Sequence, residues 1–316
     1  MTELVKRGHS VQTVQTEGTS LYSYFFYTAC QIPFQLPKDV DIYHAITPME
    51  GMWLPKNKSI VTFHDLIQML SPEKLGSGMG YSKWKSFVGM RYNKFVINQS
   101  KRCKRVTAVS QETKDNLVKH LHVPEEKTTV ITSGIRPDLK PLRRRDGTKK
   151  IGYLGQLDKR KRIDLLIDAF KKSKLESELI IGGKGFDEFS LKEQAKGDNR
   201  IKFVGMVRDS DLVEFYNSLD VFVFPTAAEG YGLPIIEAMA CRRPVIVLQD
   251  AEIPWDVKKR CVIVDDLIIL LGNQKYLEGR CTYNDYKGNY EWAKDHSWSK
   301  SVDKYLELYE EVLDSH

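Results

Sequence analysis

The stretch PTAAEGYGLPIIEAMACRRPVIV, Pro225 to Val247, decides how this chain is read. The preceding VFVFP is an apolar run of strand length, so TAAEGYG is the loop at a strand's C-terminal edge. LPIIEAMA follows with helical spacing, and RPVIVL is a second buried strand. Strand, helix and strand in that order make a parallel α/β unit, in which ligands bind at the C-terminal strand edge. Pro234 suits a first helical turn, where its missing N–H costs nothing. Gly230 and Gly232 let the backbone approach a ligand closely, and the free N–H groups of the helix start offer an anion site. Glu237 follows Pro234 by three residues and is expected in the first turn. It either steadies the helix N-terminus or accepts hydrogen bonds from a diol such as a ribose. Glu229, in the loop, is either solvated or accepts from sugar hydroxyls.

Outward from this stretch the pattern repeats. KKIGYLGQ, ELIIGGKG and IKFVG read as strands, and IDLLIDAFKKS, FDEFSLKEQAK and DSDLVEFYNS as helices between them. This alternation predicts βαβ units on a parallel sheet. The N-terminal half does the same less regularly. SVQTVQ, DIYHA, SIVTFHD, KRVTAVS and TTVITSGI are expected strands. Leu21–Phe34, Tyr81–Ser100 and Gln111–Leu121 are expected helices, the last capped by Ser110. Arg136 to Lys150 has prolines, charge and no periodicity, and is the expected linker. The expected division is an N-terminal α/β domain over 1–143, a C-terminal one over 144–298, and a last helix over 299–316.

A second group of chemically suggestive residues follows KKIGYLGQ. Lys159, Arg160, Lys161 and Arg162 come just before a helix. Cations there either neutralise a diphosphate or form a solvated basic turn.

Composition narrows the class. The chain has 316 residues, 28% charged and 41% hydrophobic, with a net charge of +6, an ordinary globular balance that permits anionic partners without choosing among them. No nucleic-acid-binding motif accompanies the charge. The five cysteines, Cys30, Cys103, Cys241, Cys261 and Cys281, are odd in number and widely spaced. That argues against disulfides and structural zinc, and fits a reducing cytoplasm. No apolar run reaches the roughly 18–20 residues of a membrane span, and the first residues lack a signal peptide's apolar core.

Taken in order, these segments resemble glycosyltransferase family 4, retaining enzymes that use sugar nucleotides and have the GT-B fold of two Rossmann-like domains. Glu229 to Glu237 resembles the family's E-x(7)-E signature, with GYGLP inside it. GQLDKRKRIDLLIDAF resembles its G-R-L-x-x-x-K-G-x-x-x-L-I-x-A-F segment. FVGMV, DLVEFYNSLDVFVFPT, TAVSQETKDNL, VITSGI, VTFHDL and HSWSKSVDKYLELYEEV also have counterparts, so the resemblance covers nearly the whole chain.

The resemblance implies that both domains are Rossmann-like and that the last helix closes back toward the first. It also implies roles. Glu237 would hold the nucleotide ribose. Glu229 and the backbone of Gly230, Tyr231, Gly232 and Leu233 would hold the donor sugar and phosphates. Lys161, beside Gly155 and Gln156, would bind the diphosphate as charge grows on the leaving group. His64 would reach the sugar from the other domain, or is a packed histidine at a strand end. Retention is explained in this family by attack on the face of departure, with no general base. No cofactor and no metal are implied. Asp39-Val-Asp41 and Asp209-Ser-Asp211 have D-x-D spelling, but lie before a strand and at a helix start, and are expected to be structural.

Two departures stand out. Gln156 occupies the position of the family's Arg after the glycine turn. And LVKRGHSVQTVQ resembles the end of the family's first helix and its second strand, so a first strand with its Gly-rich loop would precede Met1. An incomplete sequence is the favoured explanation; a changed pairing or a strand from another chain are the others.

The N-terminal domain is expected to hold the acceptor. Tyr81 to Arg105 carries eight basic residues, no acidic one, and an apolar stripe at helical spacing. It is either a core helix with solvated lysines or a peripheral contact with an anionic membrane. The leading expectation is a sugar-nucleotide glycosyltransferase. The alternatives are a degenerate sugar-nucleotide-binding protein, kept open by Gln156, and a GT-B epimerase, which the E-x(7)-E signature disfavours.

Overall fold

The computed structural model describes residues 2–14, 32–70, 91, 94–142, 149–273, 275, 277 and 287–315. They fall into two compact units. The described residues of the first are 2–14, 32–70, 91, 94–134 and 298–315, and those of the second are 135–142, 149–273, 275, 277 and 287–297.

The first unit is built on a parallel sheet of β1 (Tyr43–Ala45), β2 (Ser59–Phe63), β3 (Arg105–Ala108) and β4 (Thr128–Val130), in that order. All five residues of β2 are buried, because a central parallel strand is covered on both faces. Alternation along it divides the core. Val61 and Phe63 pack with Val106, Ala108, Leu117 and Leu121. Ile60 points the other way and meets Ile131, Leu308 and Val312. The last two come from the chain's final helix, Trp298–Asp314. That helix is also fixed by polar bonds: Ser301 Oγ donates to Thr132 O at 2.7 Å, and His44 Nδ1 pairs with Tyr309 Oη at 2.7 Å. The other ring nitrogen of His44 pairs with Thr62 Oγ1 at 2.8 Å. Helix Gln111–Leu121 has the expected start, with Ser110 Oγ accepting from the Thr113 N–H at 3.1 Å.

The second unit holds β5 (Lys149–Leu154), β6 (Ser177–Gly182), β7 (Ile201–Gly205), β8 (Val221–Val223), β9 (Val245–Leu248) and β10 (Val262–Val264). All pair in parallel, in the order β10-β9-β8-β5-β6-β7. This is the doubly wound arrangement, with strand order reversing between β5 and β8. Helix Ile163–Lys172 buries Ile163, Leu166, Ile167 and Phe170, the i, i+3, i+4, i+7 stripe of its sequence. Two parallel-sheet α/β units were the expected fold class, and they are what forms.

Local expectations were less uniform. Helices Gln111–Leu121 and Leu233–Ala240 and strand Ile201–Gly205 have the expected bounds. SVQTVQ does not form a strand over its described part: residues 9–14 are irregular. A segment rich in β-branched residues becomes a strand only where a neighbour pairs with its backbone. Several expectations lie outside the described residues: 21–31 of the Leu21–Phe34 helix, 81–90, 92 and 93 of the basic segment, 143–148 of the linker, and Cys30 and Cys281.

Candidate functional site

Strand order reverses between β5 and β8, the place where doubly wound sheets bind ligands at the C-terminal strand ends. The loop after β5 carries Gly155 to Arg162, and the loop after β8 carries Phe224 to Gly232. The two groups singled out in the sequence therefore share one edge of one sheet.

Lys161 closes a short 3-10 turn, Lys159–Lys161, capped by Asp158, whose carboxylate accepts from the Lys161 N–H at 3.2 Å. Its side chain turns inward and is 7% exposed. There Nζ donates to Glu229 Oε1 at 2.5 Å and lies 5.0 Å from the centroid of the Phe224 ring. Burial pushes the Lys161 ammonium below the ordinary lysine value, and the Glu229 carboxylate pulls it back up.

Glu229 Oε1 gathers two more donors. Thr226 Oγ1 donates to it at 2.6 Å, and Arg160 NH1 lies 3.3 Å away. Arg160 NH1 also donates to Ala228 O at 2.6 Å, while the Ala227 N–H donates to Arg160 O at 2.8 Å. A third loop joins: the Glu229 N–H donates to Glu252 O at 2.8 Å, and the Glu252 N–H to Ala227 O at 2.9 Å. Glu229 is thus held by backbone and side chain together, with Oε1 committed to cations and a hydroxyl.

Gly155 is packed against backbone. Its N–H donates to Gly182 O at 3.2 Å. A Cβ on Gly183, whose φ is +124°, would stand 1.8 Å from Gly155 O. The close approach of these loops requires glycine there. The Gln156 side chain is exposed, and its carbonyl accepts from Tyr153 Oη at 2.9 Å.

Gly232 caps helix Leu233–Ala240 in the left-handed region, φ 92° and ψ 47°. The helix therefore begins at Leu233, and Glu237 is its fifth residue. This corrects the expectation that Glu237 lies in the first turn, where it would have met the helix dipole. Instead, the buried Tyr216 of helix Leu212–Ser218 donates its hydroxyl to Glu237 Oε2 at 2.7 Å. Burial pushes the Glu237 carboxyl above the usual carboxylate range, against the pull of the Tyr216 bond and the Arg136 guanidinium. Tyr231 is buried, its ring centroid 5.9 Å from that of His296. Gly230 and Leu233 are half-buried on the same loop and helix start.

Lys161, Glu229, Gly155, Gln156 and the Gly230–Leu233 turn thus share one edge of the second unit, with Glu237 on the helix that follows. His64 lies in the first unit, just after β2, with Nε2 3.0 Å from Ile46 O and its ring exposed. Three residues escaped the sequence reading: Thr226, Tyr216 and, as a partner of Glu229, Arg160. Thr226 had a weak signal in its spacing, three residues before Glu229 at a strand end. Asp209 and Asp211 make ion pairs with Arg136 at 3.4 Å and Arg208 at 2.8 Å. Among the described residues no three His, Cys, Asp or Glu side chains are grouped to hold a metal ion.

Family comparison agrees with this geometry. Residues 135–259 match the model described as glycosyl transferases group 1, and residues 2–139 match the model described as Glycosyltransferase Family 4. The chain belongs to glycosyltransferase family 4. Among curated proteins, this family 4 chain is similar to the O-antigen chain mannosyltransferase RfbU of Salmonella typhimurium. They are 28% identical over 264 residues, 77% of this chain and 68% of that one. It is also similar to O-antigen chain mannosyltransferase B of Escherichia coli, 32% identical over 121 residues, 36% of this chain. The chain spans 32% of that relative's length. In fold it is similar to sucrose-phosphate synthase from Thermosynechococcus elongatus, with TM-score 0.73 and 18% identity over 96% of this chain and 82% of the other. It is likewise similar to Alr3699/HepE of Anabaena in complex with UDP and glucose, with TM-score 0.70 and 17% identity over 97% and 88%. The two α/β units are those of the GT-B fold.

Proposed function

We propose that this chain transfers a sugar from a nucleoside-diphosphate sugar to an acceptor, with retention of configuration and without a metal ion. The observation that carries the reading is the Lys161–Glu229 pair, held at the switch point of a doubly wound sheet beside the Gly155 and Gly230–Leu233 turns. In this reading Glu237 accepts from the ribose hydroxyls. The Gly230–Leu233 backbone and Lys161 receive the phosphates, and the diphosphate displaces Glu229 from Lys161. Glu229, released, turns to the sugar hydroxyls. As the glycosidic bond breaks, charge accumulates on the diphosphate, and a preplaced ammonium in a dry site stabilises that change most. His64 serves turnover from the first unit. The mannosyltransferase names among the relatives favour a mannosyl donor and a glycan acceptor.

A thermal-shift panel of UDP, GDP and ADP with their sugar conjugates tests this. One conjugate should raise the melting temperature with the logarithm of its concentration and then be turned over. Glu237→Ala should erase the shift. His64→Ala should keep the shift and lose turnover. A specific observation favours a second reading, nucleotide-sugar binding without transfer: Gln156 brings no charge to the phosphates. Binding with no turnover of any donor would select it.

Membrane contact through 81–105 is a further part of the proposal. Two of its described cations are engaged internally, Lys101 with Leu121 O at 2.7 Å and Arg105 with Glu311 at 2.9 Å, while Lys94 and Phe95 are exposed. Sedimentation with anionic but not neutral vesicles is expected. No helix among the described residues is long and apolar enough to cross a membrane.

A further inference from the structure

Four basic residues follow β5, and the structure sorts them. Lys159 is exposed. Arg162 directs NH1 at both carboxylate oxygens of Asp250, at 2.8 and 2.9 Å, away from Glu229. Only Lys161 Nζ and Arg160 NH1 converge, both on Glu229 Oε1, at 2.5 and 3.3 Å. The Arg160 guanidinium binds protein through NH1 alone among the described residues, donating to Ala228 O at 2.6 Å. Its Nε and NH2 are left for another acceptor, and its side chain is 17% exposed.

We infer that Arg160 is the second cation of the diphosphate site, supplying the charge that Gln156 does not. The inference rests on the donor reading above and adds one residue to it. Two cations that share one carboxylate oxygen stand as close together as the charges on adjacent phosphoryl groups. A diphosphate can therefore replace the single carboxylate and bond both. A planar guanidinium suits this exchange, since NH1 keeps its hold on the Ala228 carbonyl while Nε and NH2 turn a fork toward phosphate oxygens. Gln156 could add a neutral hydrogen bond from its exposed side chain, but no charge.

The test is calorimetric titration of the full chain with UDP, GDP and ADP, each set against its monophosphate. Arg160→Gln should weaken diphosphate binding by about 10- to 100-fold, the range of one charge-assisted hydrogen bond, and monophosphate binding by much less. Arg160→Lys should fall between. Gln156→Arg should tighten diphosphate binding in the wild-type background and restore it in Arg160→Gln. That rescue would not follow if Arg160 merely pinned the loop. Because Gln156 is exposed, its variant stays informative even if Arg160→Gln unfolds. Equal loss for diphosphate and monophosphate, or no effect of Gln156→Arg in either background, overturns the inference. Full diphosphate affinity in Arg160→Gln with loss in Lys161→Ala overturns it while sparing the donor reading. If the wild type binds no diphosphate, both fall.

Discussion

Replacing Lys161 by methionine separates what this site does for the fold from what it does for a ligand. The lysine is 7% exposed and its partner's side chain 11%. Removing one member of a buried pair typically costs about 3–5 kcal/mol, because the other charge stays buried alone. Glu229 is not left alone here: Thr226 at 2.6 Å and Arg160 at 3.3 Å remain. Methionine also keeps contact with the Phe224 ring, a favourable sulfur–aromatic pairing. The expected cost for Lys161→Met is therefore at the low end, about 3 kcal/mol, or roughly 6–12 °C in melting temperature for a unit of this size. Adding Glu229→Gln removes the stranded charge and keeps an acceptor for Thr226 and Arg160. The double variant should recover to within about 1 kcal/mol of wild type. Urea and thermal unfolding followed by the fluorescence of Trp255 and Trp292, both in the second unit, measures this. Nucleoside-diphosphate binding should stay lost in both variants. A single variant as stable as wild type, or a double variant no better than the single, refutes the reasoning.

Three other outcomes are expected. Gly183→Ala, which drives a Cβ to 1.8 Å from Gly155 O at φ +124°, should destabilise the second unit by about 3 kcal/mol or more in thermal melts and weaken diphosphate binding by shifting Gly155. Glu237 has its pKa raised by burial, so the native state holds its proton to higher pH than the unfolded chain, and stability falls as pH rises through that window. Glu237→Gln should therefore match wild type at acid pH, exceed it at neutral pH in melting temperature, and bind nucleotide less well. His44, pulled down by burial to about 4 with His64 adding to the shift, does the opposite. Stability should be full above pH ~6.5 and fall by up to about 3 kcal/mol as pH drops toward 4, a loss that His44→Gln should flatten in a pH series of melts.

Much of the second unit was legible because its strands are short apolar runs and its helices carry one clean stripe. Strand Val245–Leu248 and helix Ile163–Lys172 show that pattern. The site was legible as two separate pieces. Lys161 and Glu229 each stood out by residue type beside glycines, but their bond depends on β8 returning next to β5, a fact of topology rather than local pattern. The sorting of the basic turn was not legible at all. Lys159, Arg160, Lys161 and Arg162 look alike in sequence, and their fates differ because one 3-10 turn ending in a left-handed Arg162, φ 53°, points them in different directions. The hydroxyls of Thr226 and Tyr216 were missed for a related reason: a polar atom on an otherwise buried residue reveals its partner only once the packing is known. SVQTVQ misled because its β-branched residues only favour a strand, whereas a strand is made by a neighbour's backbone.

Among the described residues, the points where the chain enters and leaves the second unit lie side by side. The Ile135 N–H donates to His296 O at 2.8 Å, and Ile135 pairs with Ser297 in an isolated parallel bridge. The chain enters the second unit and leaves it at one point, and the final helix then returns to cover Ile60 in the first. The described part of the second unit is thus one insertion into the first, closed at its neck by that pairing. An insertion of this kind makes the first unit depend on sequence synthesised after the second. During translation the second unit has all its described strands before Trp298 emerges, whereas Ile60 of β2 meets Leu308 and Val312 only once the last helix follows. The expected order of maturation is therefore the reverse of chain order, with the later half first and the earlier half last.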